Sequence, residues 1–109
     1  MKNFVSVVST TKYKVIKMEE SKIERYLKKQ TELLGGLALK FVSPGVSGVP
    51  DRIILLPQGR IIFVELKAPG KKTRPIQEYR IKMIRALGFR VEIIDSMEKV
   101  DKFIKEVVV

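Results

Sequence analysis

Two chemically versatile residues are missing from this 109-residue chain: it has no cysteine and no histidine. Without cysteine there is no disulfide framework and no thiolate zinc site. Without histidine there is no imidazole acid–base chemistry and no imidazole metal site. Any metal must be held by oxygen, which favours Mg²⁺, with Mn²⁺ as a substitute. Long apolar runs are absent, so no membrane partner is expected, and the N-terminus lacks a signal-peptide pattern. A cytoplasmic protein is the plain expectation. Aromatics make up 7% of the chain and show no stacking-platform pattern, which argues against an RNA-binding sheet. Acids are scarce beside bases: 12 against 22, a net charge of +10. That excess points to nucleic acid. The length allows one domain with one core.

What is present centres on one stretch. Asp51-Arg52-Ile53-Ile54-Leu55-Leu56 reads as a strand, and Arg60-Ile61-Ile62-Phe63-Val64-Glu65-Leu66-Lys67 as the next. Pro57, Gln58 and Gly59 lie between them. A three-residue hairpin loop is commonly a type I turn plus one left-handed residue. Pro57 suits the first turn position and Gly59 the left-handed one. Leu56 then pairs with Arg60, and counting back sets Asp51 opposite Glu65. Opposed residues share a face, as do residues two apart, so Asp51, Glu65 and Lys67 converge. A two-residue loop would send Asp51 to the other face. Opposed carboxylates destabilise a strand pair, and a hard divalent cation between them removes that cost. A lysine beside it can orient water or neutralise charge on a phosphate.

Pro50-Asp51 followed by Glu65-x-Lys67 resembles the PD-(D/E)XK nuclease superfamily. The branch most similar is the VRR-NUC family, in its stand-alone phage and bacterial form. The similarity runs from about residue 19 to the end. It is carried by Glu20-x-x-x-Glu24, Gly35 to Phe41, Ser43-Pro44-Gly45, Gly48 to Arg52, Phe63 to Lys72, and Arg74-Pro75-x-Gln77. Residues 1–18 then form an N-terminal extension, and 19–109 the nuclease-like domain. The resemblance implies metal-dependent cleavage of DNA in replication, recombination or repair, inside a bacterial cell or phage-infected host. It implies that a first-helix glutamate, Glu20 or Glu24, joins the metal site. It makes Gln77 a site residue placed to bind the metal-bound water or Lys67. Stand-alone members are homodimers that resemble Holliday-junction resolvases.

The remaining chain reads as follows. Residues 1–17 mix Val with Ser, Thr and Lys: Val5 to Val8 and Tyr13 to Ile16 form edge strands, or the segment is a loose basic arm. Residues 20–34 form a helix ended by Gly35-Gly36, and Leu37 to Val42 a strand carrying Lys40. Ser43 to Pro50 is a Gly/Pro loop leading into Asp51. Ala68 to Arg74 is a basic loop leaving the site. Thr73 is its candidate N-cap, with Pro75 in the first helical turn. The helix to Leu87 carries Ile76, Tyr79, Met83, Ala86 and Leu87 on one face. Phe89 to Ile94 is a fourth strand. Asp95 or Ser96 caps a last helix burying Met97, Val100, Phe103, Ile104 and Val107.

The expected fold is therefore α/β: a restriction-endonuclease-like core, with a mixed central sheet flanked by helices in the order αβββαβα. The expected activity is a Mg²⁺-dependent DNA endonuclease. Asp51, Glu65 and the Leu66 carbonyl hold metal, Lys67 orients water, and Lys40, Lys71, Lys72 and Arg74 contact DNA phosphates. With no base-reading motif, recognition of DNA shape and backbone is expected, and the resemblance implies branched DNA as the substrate. A homodimer is expected because coordinated cutting of antiparallel strands needs two opposed sites. Phe103, Val107, Val108 and Val109 suggest surplus apolar surface at the C-terminus. The rival from another class, a non-catalytic DNA-binding module on a nuclease fold, would be marked by loss of Asp51, Glu65 or Lys67; all three are present.

Overall fold

The computed structural model describes residues 4–108, leaving aside the side chains of residues 4–11 and 13. Its first helix, α1, runs from Phe4 to Leu33. At 1.5 Å per residue it is about 45 Å long, and it lies within overall extents of 58 × 30 × 21 Å. Among its described side chains, full burial is confined to the C-terminal half. Ile23, Leu27 and Thr31, four residues apart, are buried along one seam, whereas Lys14, Val15, Lys17 and Met18 are exposed. The strands or loose arm expected before residue 18 are thus replaced, from Phe4 onward, by continuous helix with no break at 18/19. The β-branched residues there favour strands by propensity, but the segment continues the helix. Once the packed half has nucleated, each further residue adds a hydrogen bond without a new nucleation cost. Gly35, at φ 81°, ends α1 in the left-handed conformation, and the Gly36 N–H donates to the Thr31 carbonyl at 3.0 Å.

Four strands follow: β1 (Leu37–Lys40), β2 (Arg52–Leu56), β3 (Arg60–Leu66) and β4 (Arg90–Ile94). They lie in the order β1-β2-β3-β4. The first three are antiparallel neighbours, and β4 runs parallel to β3. A parallel neighbour needs a crossover, supplied by α2 (Pro75–Ala86). The last helix, α3, spans Met97–Val107. The fold is the expected mixed sheet with flanking helices. In the β2–β3 hairpin Leu56 pairs with Arg60 and Arg52 with Val64, the register read from the loop length. The loop itself differs: both Gln58 (φ 69°) and Gly59 (φ 72°) are left-handed.

One face of the sheet carries Ile54, Leu56, Ile62, Val64, Leu66 and Ile94, packed against Ile23 and Leu27 of α1 and Val100, Phe103 and Val107 of α3. Truncating Leu27, 1% exposed, to alanine costs about 2–5 kcal/mol by the usual scale for buried leucines. Ser96 caps α3, its hydroxyl accepting from the Lys99 N–H at 3.1 Å. Two expectations for the helices change. Phe103 and Val107 are 2% and 4% exposed and belong to the core, Val108 is 54% exposed, Val109 lies outside the described residues, and Met97 is 42% exposed. On α2 the apolar set faces outward. Gln77 and Ile81 are buried, but Ile76, Tyr79, Met83 and Leu87 are exposed.

Candidate active site

The site lies where the β2–β3 hairpin opens. β2 begins at Arg52, so Asp51 sits just before the ladder, in line with Glu65 on β3. The Asp51 carbonyl accepts from the Phe41 N–H at 2.8 Å. Its carboxylate Oδ1 accepts from the Leu66 N–H at 3.2 Å. The side chain thus takes the place of a backbone ladder partner and is fixed beside Glu65. Across the sheet, the Lys67 N–H donates to the Ile94 carbonyl at 2.9 Å, which holds the end of β3 against β4.

Glu65 is 4% exposed. Its Oε2 accepts from Gln77 Nε2 at 3.1 Å and pairs with Lys67 Nζ at 3.3 Å. Burial pushes its carboxyl above the ordinary glutamate range, and the Asp51 charge pushes it further. The Lys67 ammonium pulls the other way without cancelling these effects. Gln77 is itself buried, and its Oε1 accepts from the Arg74 N–H at 2.9 Å. One amide therefore ties the start of α2 to the carboxylate on β3. Arg74, not Thr73, is the N-cap residue. Thr73 instead donates its hydroxyl to Glu78 at 3.1 Å. A guanidinium has no acceptor, so Gln77 supplies the one side-chain bond of this cap.

The loop before Asp51 is seated on the same helix. Gly48 has φ 83°, and a Cβ there would stand 2.5 Å from the Ile76 carbonyl oxygen. Arg80 Nε donates to the Ser47 carbonyl at 2.9 Å. Asp51 and Gln77 are thus referred to one support.

The structure brings Asp51, Glu65, Lys67 and Gln77 together. It does not gather the first-helix glutamates with them: among the described residues no three acidic side chains form a metal-holding group. Glu24 faces Arg52 Nη2 at 2.8 Å and Lys40 Nζ at 3.9 Å, and Glu20 sits a turn earlier, half-buried. Lys71, Lys72 and Arg74 are exposed on the loop between Glu65 and Gln77. Lys40 is exposed at the β1 edge. Sequence reasoning missed Arg52, Gly48 and Arg80. Arg52 had a signal: it alternates with Ile54 and Leu56, so its side chain starts on the core face.

A mixed α/β sheet with an aspartate and a Glu-x-Lys meeting at the mouth of an antiparallel hairpin defines a restriction-endonuclease-like domain. The family model described as the VRR-NUC domain matches residues 13–98. The chain is also similar to a phage protein named "Putative nuclease p44", from Acyrthosiphon pisum secondary endosymbiont phage 1. They are 48% identical over 81 residues, 74% of this chain and 87% of the phage protein. A solved structure titled "VRR_NUC domain" superposes with a TM-score of 0.76 at 37% identity, covering 82% of this chain and 97% of that one. This chain belongs to the VRR-NUC family.

Proposed function

We propose that the protein is a metal-dependent DNA endonuclease that hydrolyses phosphodiester bonds. The observation that carries this reading is the meeting of Asp51, Glu65 and Lys67, with Glu65 buried and its carboxyl raised by burial and the Asp51 charge. The donor set fits a hard divalent cation: two adjacent carboxylates, no sulfur and no imidazole. Asp51, Glu65 and the Leu66 carbonyl would hold Mg²⁺, or Mn²⁺ in its place. Such a cation lowers the pKa of water and neutralises charge on phosphate. Lys67, two residues beyond Glu65, orients the attacking water and stabilises charge building on the phosphate oxygens. Gln77 holds Glu65 in place. Lys71, Lys72 and Arg74, with Lys40, contact the DNA backbone and position it without reading bases.

The finer reading is a homodimer selective for branched DNA such as a Holliday junction. The exposed apolar stripe of Ile76, Tyr79, Met83 and Leu87 on α2 supports assembly. It starts beside Gln77, so pairing there joins two sites on one surface. The test is purified protein with Mg²⁺ or Mn²⁺ against linear, flapped and four-way DNA. Cleavage that needs the metal and is lost in Lys67→Ala supports the reading. Near-wild-type cleavage by folded Lys67→Ala overturns the mechanism. Equal rates on linear duplex and junction remove the structure preference.

A further inference from the structure

We propose that Arg52 is a positioning residue that couples Glu24 to Asp51, and that Glu24 serves as its counter-ion and not as a metal ligand. This rests on the nuclease reading above and decides one of its open points, the role of the helix-α1 glutamate.

Arg52 is 9% exposed and lies on the core face of β2, between Lys40 of β1 and Val64 of β3. Its guanidinium grips its neighbour twice. Nη1 donates to the Asp51 carbonyl at 2.9 Å and pairs with Asp51 Oδ2 at 3.3 Å. Nη2 pairs with Glu24 Oε2 at 2.8 Å. Asp51 is therefore held on both oxygens, Oδ1 by the Leu66 N–H and Oδ2 by Arg52. These contacts restrain its rotation, and the carboxylate keeps lone pairs free for a cation. The fork of arginine lets Nη1 hold Asp51 while Nη2 holds Glu24, and lysine cannot reproduce it.

The energetics argue that the arrangement is not there for stability. Arg52 loses its hydration on burial, while Glu24 and Asp51 keep 31% and 34% of their side-chain exposure, so water weakens the attraction that would offset that loss. Here Arg52 Nε is also buried without a hydrogen-bond partner, a further cost. What the chain gains is a fixed Asp51. Glu24, drawn 2.8 Å from a guanidinium, has its charge neutralised and its oxygen engaged. That leaves Glu20 as the other glutamate of the Glu20-x-x-x-Glu24 pair for a place at the site.

The test uses the full chain and its Glu24→Gln, Arg52→Lys and Arg52→Met variants, with Asp51→Asn as the metal-loss reference. Mn²⁺ binding is titrated by calorimetry, melting is followed optically, and kcat and KM are measured on a cleaved DNA. Asp51→Asn loses Mn²⁺ binding. Glu24→Gln and Arg52→Lys weaken Mn²⁺ binding and lower kcat by roughly 10- to 100-fold, as removal of an outer partner of a metal ligand usually does. KM for DNA stays near the wild-type value. The Glu24→Gln/Arg52→Lys double variant falls no further than Arg52→Lys alone, because the pair acts as a unit. If Arg52→Met does not fold, Glu24→Gln and Arg52→Lys carry the test. Glu24→Gln as severe as Asp51→Asn overturns the proposal, since Glu24 is then a ligand. Folded Arg52→Lys with wild-type Mn²⁺ affinity and kcat also overturns it, since Arg52 then only fills space. A wild-type chain that binds no Mn²⁺ and cuts no DNA overturns the nuclease reading itself, and this proposal with it.

Discussion

Replacing Gly48 by alanine puts a methyl group where α2 already stands. The new Cβ would lie 2.5 Å from the Ile76 carbonyl oxygen and 2.8 Å from its carbonyl carbon. Both are backbone atoms of a helix's first turn, so no side-chain rotation relieves the contact. Gly48 also has φ 83°, a conformation that costs an alanine roughly 1–2 kcal/mol. Together the two effects should cost about 2–3 kcal/mol, within the range of core-type substitutions. At about 4 °C per kcal/mol for a domain of this size, the melting temperature should fall by roughly 8–12 °C. The functional loss should be larger than stability alone dictates. Relief of the clash must move the loop, which ends at Asp51, or the helix turn that carries Gln77. Cleavage measured well below the melting point should fall by about tenfold or more, the scale of small misplacements at a site. Gly45→Ala is the control in the same loop, because nothing lies within 4 Å of its Cβ. It should melt at or slightly above the wild-type temperature. Thermal melts and single-turnover cleavage of the two variants decide the matter. Gly48→Ala that melts and cuts like Gly45→Ala refutes the seating of this loop on α2.

Replacing Lys71, Lys72 and Arg74 together by alanine should weaken binding to all duplex sequences alike and reduce the log–log salt slope by about 2–3; a sequence-selective loss would show that they read bases. Glu65 sets a pH dependence in metal-free protein. Its folded-state carboxyl is raised, so the folded chain holds the proton more tightly than the unfolded one. Stability should therefore fall as pH rises from about 4.5, the ordinary value, through the raised one. Thermal melts of Glu65→Gln should lack that fall, and an equal slope in both proteins would refute the assignment. If α2 carries the dimer contact, Met83→Glu with Leu87→Glu should shift light scattering from dimer to monomer without lowering the melting point of the protomer. A wild-type monomer at micromolar concentration, free and with junction DNA, would end the dimer reading.

The register that sets Asp51 beside Glu65 is legible in the amino-acid sequence alone, and for a local reason. A three-residue loop pairs Leu56 with Arg60, and strand alternation does the rest. The helix end at Gly35, a cap at Asp95 or Ser96 and the mixed α/β order are legible on the same terms, as preferences that reside in a few consecutive residues. Tertiary structure decided what local pattern leaves open. Periodicity shows that Ile76, Tyr79, Met83 and Leu87 share a face, but only the sheet's position shows that this face is left bare. The same spacing on α3 buries Phe103 and Val107, because α1 and the sheet meet them. Spacing put Glu20 and Glu24 on one side of α1 and could not separate them. The approach of Arg52 from another element separates them, by holding Glu24 at 2.8 Å. An ion pair between residues 24 and 52 leaves no mark in either local segment. It exists because β2 lies under α1, and only the packed core puts it there.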